Sequence, residues 1–254
     1  MASLNFSRNI YDEDAKAEKD YYDSIGPDMI EIGDLFEKAV VQSKYKDELS
    51  KKWGEKFLID IETSLKTFDP KIKEMLKEET DLRNKYTKLT AGAKITYEGK
   101  EYNLAGLGPF HSNEDRNVRK ASIEARFHWF SKNSEALDNI YDQLVKLRHK
   151  IATTLGYDNF IELGYMRMGR SDYGPDEVAN FRKQIVNHVV PVVKKLVQKK
   201  KDILGLDHLY FYDGINFKEG DPKPKGSPDH LIKEAQVMYR ELSNETCLLY
   251  TSDA

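Results

Sequence analysis

Two histidines one helical turn apart, with a glutamate directly after the first, would let a helix hold a zinc ion beside a base that activates water. That spacing is absent here. The six histidines, His111, His128, His149, His188, His208 and His230, are followed by Ser112, Trp129, Lys150, Val189, Leu209 and Leu231, and no two stand three or four residues apart. They read as surface or partner-bonded helix residues. Other chemistry also fails on spacing. No GxSxG turn presents a serine nucleophile, no GxxxxGK[ST] loop cradles phosphate, and no GxGxxG follows a strand. Gly106-Leu107-Gly108 lacks the third glycine and reads as a turn. Cys247 falls in the last eight residues, with no adjacent helical base to activate its thiol. The sequence offers no catalytic residue and no metal ligand, and it leaves any substrate-binding residue unassigned.

The most suggestive charged group is the set Arg167, Arg170 and Arg182, with Glu162, Asp172 and Asp176 close in sequence. A guanidinium drawn out of water needs carboxylate partners. The favoured reading is an ion-pair cluster fixing a helix–helix junction; the rival is a site for a substrate carboxylate. The lysines at 194–195 and 199–201 spread around a helix beside Leu196 and Val197, so they read as a solvated face. The net charge of −3, from 40 basic and 43 acidic residues, gives no bias toward nucleic acid or an anionic membrane. No stretch reaches the roughly 18 apolar residues of a membrane span, and the N-terminus carries no apolar secretory core. A single cysteine cannot form an internal disulfide, which favours a cytoplasmic setting.

The elements that position these groups are almost all helical. Met29, Ile32, Leu35, Phe36, Ala39 and Val40 recur at steps of three and four, as one face of an amphipathic helix. A second helix is expected over 52–66. Asp69-Pro70 opens a third toward Leu89, aspartate serving as cap and proline as first helical residue. Ile95 and Tyr97, then Tyr102 and Leu104, alternate with polar residues around Glu98-Gly99, which predicts a short β-hairpin over 94–104. After Gly108-Pro109 a long helical stretch runs from about Asn113 to Leu155, with Leu137, Ile140, Tyr141, Leu144 and Ile151 in phase and Gly156 ending it in left-handed conformation. The next helix starts at Pro175, capped near Asp172 or Gly174. Its buried stripe is Val178, Phe181, Ile185, Val189, Val192 and Leu196, with a kink or break at Pro191. Gly205 ends it, 207–225 is loop, and Ser227-Pro228 opens a last helix carrying Leu231, Ala235, Met238 and Leu242. The fold class is therefore mainly all-α, an elongated array of helices with one hairpin. Two regions are expected, 1–112 with the hairpin and 113–246 as a helical wall, followed by a tail over 247–254.

Several blocks in this order carry a resemblance. Glu78-Glu79, the hairpin ITYEGKEYNL, Asp115 to Ala121, Leu155-Gly156-Tyr157-Asp158-Asn159-Phe160, Arg167-Met168-Gly169-Arg170-Ser171-Asp172-Tyr173, Tyr212-Asp213 and Met238 to Ser243 together resemble the N-terminal and middle part of the oligoendopeptidase F family. These are zinc metallopeptidases related to thimet oligopeptidase. The resemblance implies a helical fold whose two halves wall a deep channel, and a parent enzyme that hydrolyses short peptides. It also implies that the zinc-binding HExxH half lies beyond this chain, so that the chain alone is inactive and binds no zinc. Without that missing C-terminal half, the faces near Val178 to Leu196 and Leu231 to Leu242 are expected to expose apolar surface. The alternative is a free-standing helical module that binds a partner protein. The last eight residues, CLLYTSDA, back-translate to a string resembling a transposase adapter, and are expected to be foreign to the native protein.

Overall fold

The computed structural model describes residues 1–243 and Glu245; the tail over 247–254 lies outside them. The N-terminal helix α1, Ala2–Arg8, buries Ala2 and Phe6, and the Phe6 ring lies under the ammonium groups of Lys19 and Lys88. The long helix α2, Glu13–Gln42, starts where Asp12 accepts a hydrogen bond from the Ala15 N–H, with Glu13 and Asp14 complementing the helix dipole. Its predicted apolar face exists but is not packed: Met29, Ile32, Leu35 and Phe36 all face solvent, while Ala15, Lys19, Pro27 and Asp34 are buried.

The helix expected over 52–66 is instead α3, Lys46–Trp53, and α4, Glu55–Ser64. Gly54 divides them at φ 88° and ψ 157°, a conformation essentially reserved for glycine. Asp69 caps as predicted, accepting from the Lys71 N–H; a single 3-10 turn, Pro70–Ile72, then leads into α5, Lys73–Ala91. The hairpin pairs β1, Ile95–Tyr97, with β2, Lys100–Tyr102, in antiparallel register, Ile95 opposite Tyr102 and Tyr97 opposite Lys100. Glu98 and Gly99 both take positive φ, 50° and 75°, which a two-residue hairpin turn requires.

Gly108-Pro109 opens the short helix α6, Gly108–His111, rather than only breaking the chain. The long stretch expected from Asn113 is two helices, α7, Arg116–Lys132, and α8, Ser134–Thr154. Asp115 caps α7 by accepting from the Asn117 N–H. Asn133 interrupts the stretch, its side-chain amide donating to the Trp129 carbonyl at the end of α7. Gly156 has φ 96° as expected, and Tyr157 N–H reaches back to the Ala152 carbonyl to close α8. Helix α9, Phe160–Arg167, follows, capped by Asn159.

Two apolar clusters hold this frame. Phe68, Ile72 and Leu82 pack against Leu147, Ile151 and Ala152 of α8 and Leu163 of α9. Ala93, Ile95, Tyr97 and Leu107 pack with Trp129 of α7, so the hairpin leans on a helix as a two-stranded sheet must. Beyond α9 come α10, Pro175–Gln184, and α11, Val190–Leu204, joined by a π turn over Ile185–Val189. That turn is where Pro191 was expected to kink the helix: proline has no N–H to return to the carbonyl four residues back, and the wider turn absorbs the gap. Gly205 ends α11 at φ 65°, and α12, Pro228–Leu242, starts at Ser227, whose hydroxyl accepts from the His230 N–H. The stripe of Val178 to Leu196 is not buried. None of α10, the π turn, α11 or α12 contains a buried residue, and Phe181, Val192 and Leu196 are each more than half exposed.

Candidate functional site

The histidines scatter over α6, α7, α8, the π turn, the 207–225 segment and α12. Among the described residues no three His, Cys, Asp or Glu side chains come together in a way that could hold a metal ion. His111 is the most enclosed; burial, aided by the charge of Arg126, pushes its imidazole below its ordinary range, and its Nε2 has no partner among the described residues.

The arginine junction is real, but its carboxylate comes from elsewhere. Glu79, buried on α5, accepts from Arg148 Nε of α8 at 2.7 Å and from an Arg167 guanidinium nitrogen of α9 at 2.8 Å. Both guanidiniums also sit against the Phe160 ring, at 5.7 and 5.8 Å from its centre. Burial pushes the Glu79 carboxyl up, but the two arginines outweigh it and hold the group below its usual range. Glu162, Asp172 and Asp176 make no ion pair with Arg167, Arg170 or Arg182 among the described residues, so the expectation drawn from sequence proximity is corrected. The faces that meet at this junction belong to helices distant in sequence, α5 against α8 and α9. Arg182 is exposed on α10.

Arg170 behaves differently from Arg167. Its guanidinium lies over the rings of Tyr165 and Tyr173, 5.3 and 5.8 Å from their centres, and makes no ion pair or hydrogen bond among the described residues. Its position follows from the end of α9. Gly169 takes φ 67°, its N–H bonds to the Met166 carbonyl, and Arg170 N–H reaches back to the Tyr165 carbonyl. This left-handed closure folds Arg170 back over Tyr165. At its side Glu177 caps α10, its Oε2 accepting from the Gly174 N–H at 2.8 Å, which holds that carboxyl below its ordinary value.

A second ionic node lies in the loop over 207–225. Asp213 receives a two-pronged contact from Arg116, Nε to Oδ1 and a terminal nitrogen to Oδ2, each 2.8 Å. Tyr210 N–H adds a third bond, and Arg119, almost wholly buried, adds a fourth at 3.3 Å. Arg119 also donates to the carbonyls of Tyr212, Asn113 and Glu114. The hydrogen bonds from Arg116 outweigh the cost of burial and hold the Asp213 carboxyl at about 2. Arg116 covers Tyr210 and Tyr212, whose rings stack 5.3 Å apart. Asp115 to Ala121 and Tyr212-Asp213 both stood in the resemblance, yet nothing in their spacing announced the pairing. These nodes fasten helices and loops; none sets a nucleophile beside a base.

Two family descriptions match the chain: the peptidase M3 N-terminal domain over residues 1–68, and peptidase family M3 over residues 110–233. The chain belongs to peptidase family M3. It is similar to part of PZ peptidase A, solved with an inhibitor, at 42% identity and a TM-score of 0.91. Two proteins assigned as oligoendopeptidase F are similarly close, one at 40% identity and 0.91, the other, from Bacillus anthracis str. Ames, at 38% and 0.89. Each match covers 97% of this chain but only 44% or 45% of the relative, so the chain spans less than half the length of these solved proteins. No curated protein matches it.

Proposed function

We propose that this chain is the N-terminal, non-catalytic part of a cytoplasmic zinc oligoendopeptidase, a parent enzyme that hydrolyses short peptides. The observation that carries this reading is the match itself: nearly all of the chain superposes on proteins assigned as oligoendopeptidase F while covering under half of them. The described residues do not fit a zinc site, since no donor cluster is present among them, and no step of peptide hydrolysis is assigned to them. Their role is to build one wall of the channel that selects short, unfolded peptides, with 1–112 and 113–246 as its two regions. The exposed Val189, Val192 and Leu196, together with Leu231, Met238 and Leu242, support a face meant for the rest of the parent protein. The cytoplasmic placement rests on the single cysteine and on the lack of any described helix able to cross a membrane.

The same exposed stripe also suits a helical module that docks on a partner protein, which is the second reading. Cloning the gene past Thr246 and expressing the joined chain separates the two. Peptide cleavage that a chelator abolishes and zinc restores is expected from the joined chain, and none from residues 1–254. Chelator-sensitive turnover by residues 1–254 alone, or a downstream sequence with no metal motif, overturns the peptidase reading.

A further inference from the structure

We propose that the cleft between the end of α9 and the start of α10 binds the free carboxylate end of a short peptide whose last side chain is apolar, with Arg170 as its anchor. This rests on the peptidase reading for its biological sense, though not for its test. The cleft is an open depression of about 440 Å³ lined by Arg170, Tyr173, Glu177, Val178 and Phe181. That volume lies in the roughly 300–1,000 Å³ range of small-ligand pockets.

Its composition selects the ligand. Arg148, Arg167, Arg116 and Arg119 each meet a carboxylate of this chain. Arg170, by contrast, keeps its donors free among the described residues, its guanidinium over the rings of Tyr165 and Tyr173, which meet each other edge-on at 80°. The cation–π contacts occupy none of its N–H donors, which stay available to a planar anion. The left-handed turn at Gly169 fixes the backbone beneath it. Val178 and the largely exposed Phe181 supply an apolar floor one helical turn along. Glu177 sets a limit: one of its oxygens is engaged by the Gly174 N–H and the group keeps its charge, so a ligand with an acidic last side chain is repelled.

The test is an amide-resolved NMR titration of the 254-residue chain, free of metal, with N-acetyl-Ala-Leu, its C-terminal amide, and N-acetyl-Ala-Glu. The expected result is saturable shifts at Tyr173 and Phe181. The free acid should bind about tenfold more tightly than the amide, the scale of one charge-assisted hydrogen bond, and the glutamate peptide more weakly than the leucine peptide. Arg170→Gln should erase the preference for acid over amide, Arg170→Lys should keep part of it, and Phe181→Ala should weaken both ligands equally. Should Arg170→Gln fail to fold, Phe181→Glu at an exposed position is expected to abolish the acid preference. Equal binding of acid and amide by the unaltered chain, or a preference that survives Arg170→Gln, overturns the proposal. Because no turnover is measured, that failure leaves the peptidase reading standing, while failure of the peptidase reading would appear as absent cleavage with this binding intact.

Discussion

Replacing Glu79 with glutamine keeps the shape of the side chain and removes the charge that two guanidiniums share. Glu79 is only 4% exposed, so the loss is felt inside the helix junction. Glutamine still offers one carbonyl oxygen, but its amide nitrogen must then face a guanidinium, donor against donor. One charge-assisted hydrogen bond is worth about 1.5–3 kcal/mol. Breaking a fully buried pair costs about 3–5 kcal/mol, because a stranded charge remains. Here the side chains of Arg148 and Arg167 are 35% and 29% exposed and can turn partly to water, so the lower end applies. The expected cost is about 2–3 kcal/mol, or a fall in Tm of roughly 4–12 °C for a chain of this size. Urea denaturation followed by circular dichroism measures it, and a double-mutant cycle with Arg167→Met shows whether the coupling is direct. The sign with pH is also fixed. The carboxyl is held below its unfolded value, so its contribution is full at neutral pH and fades as pH falls through the depressed value. Glu79→Gln should flatten that acid limb. A cost under about 0.5 kcal/mol, or full additivity with Arg167→Met, would refute the assignment of this node as the clamp between α5, α8 and α9.

Asp213, held at about 2, contributes stability that is complete above pH ~4 and lost between there and about 2; Asp213→Asn should remove that acid-side slope and speed amide exchange over 207–216, and an unchanged exchange pattern would count against the clamp. Leu196→Glu, on the exposed stripe, is expected to cost under about 0.5 kcal/mol while lowering hydrophobic-dye binding, whereas Leu163→Ala in the core should cost about 2–5 kcal/mol; equal costs at the two positions would mean the stripe is packed. Gly54→Ala, at φ 88° with open space around its Cβ site, should cost about 1–3 kcal/mol through backbone strain alone, read from the shift in the denaturation midpoint.

Helix type and hairpin register were legible because both are local. The alternation around Glu98-Gly99 demanded two residues at positive φ, and the caps at Asp69, Gly156 and Gly205 are one-turn signals. Two breaks inside helices were missed for opposite reasons. Gly54 sits between good helix-forming stretches and is tolerated by any periodicity count, so only its backbone angles reveal the corner. Asn133 is neutral enough to sit within a helix, and the break there depends on a side-chain bond to the preceding turn.

Pairing across the array was not legible, and the arginines show why. The carboxylates nearest these arginines in sequence, Glu162, Asp172 and Asp176, lie at the surface, where water competes for both groups and little is gained. The partner that matters is the one desolvated between helices, as Glu79 is between α5 and α8, and its distance along the chain carries no signal. The same reasoning separates Arg167 from Arg170, three residues on. Arg167 closes α9 on the side that faces α5 and finds Glu79. Past the left-handed turn at Gly169, Arg170 lies over tyrosines beside a cleft whose carboxylate, Glu177, makes no ion pair with it among the described residues. Sequence proximity made these arginines one cluster. A single glycine divides them into a clamp that has its partner and a fork that still awaits one.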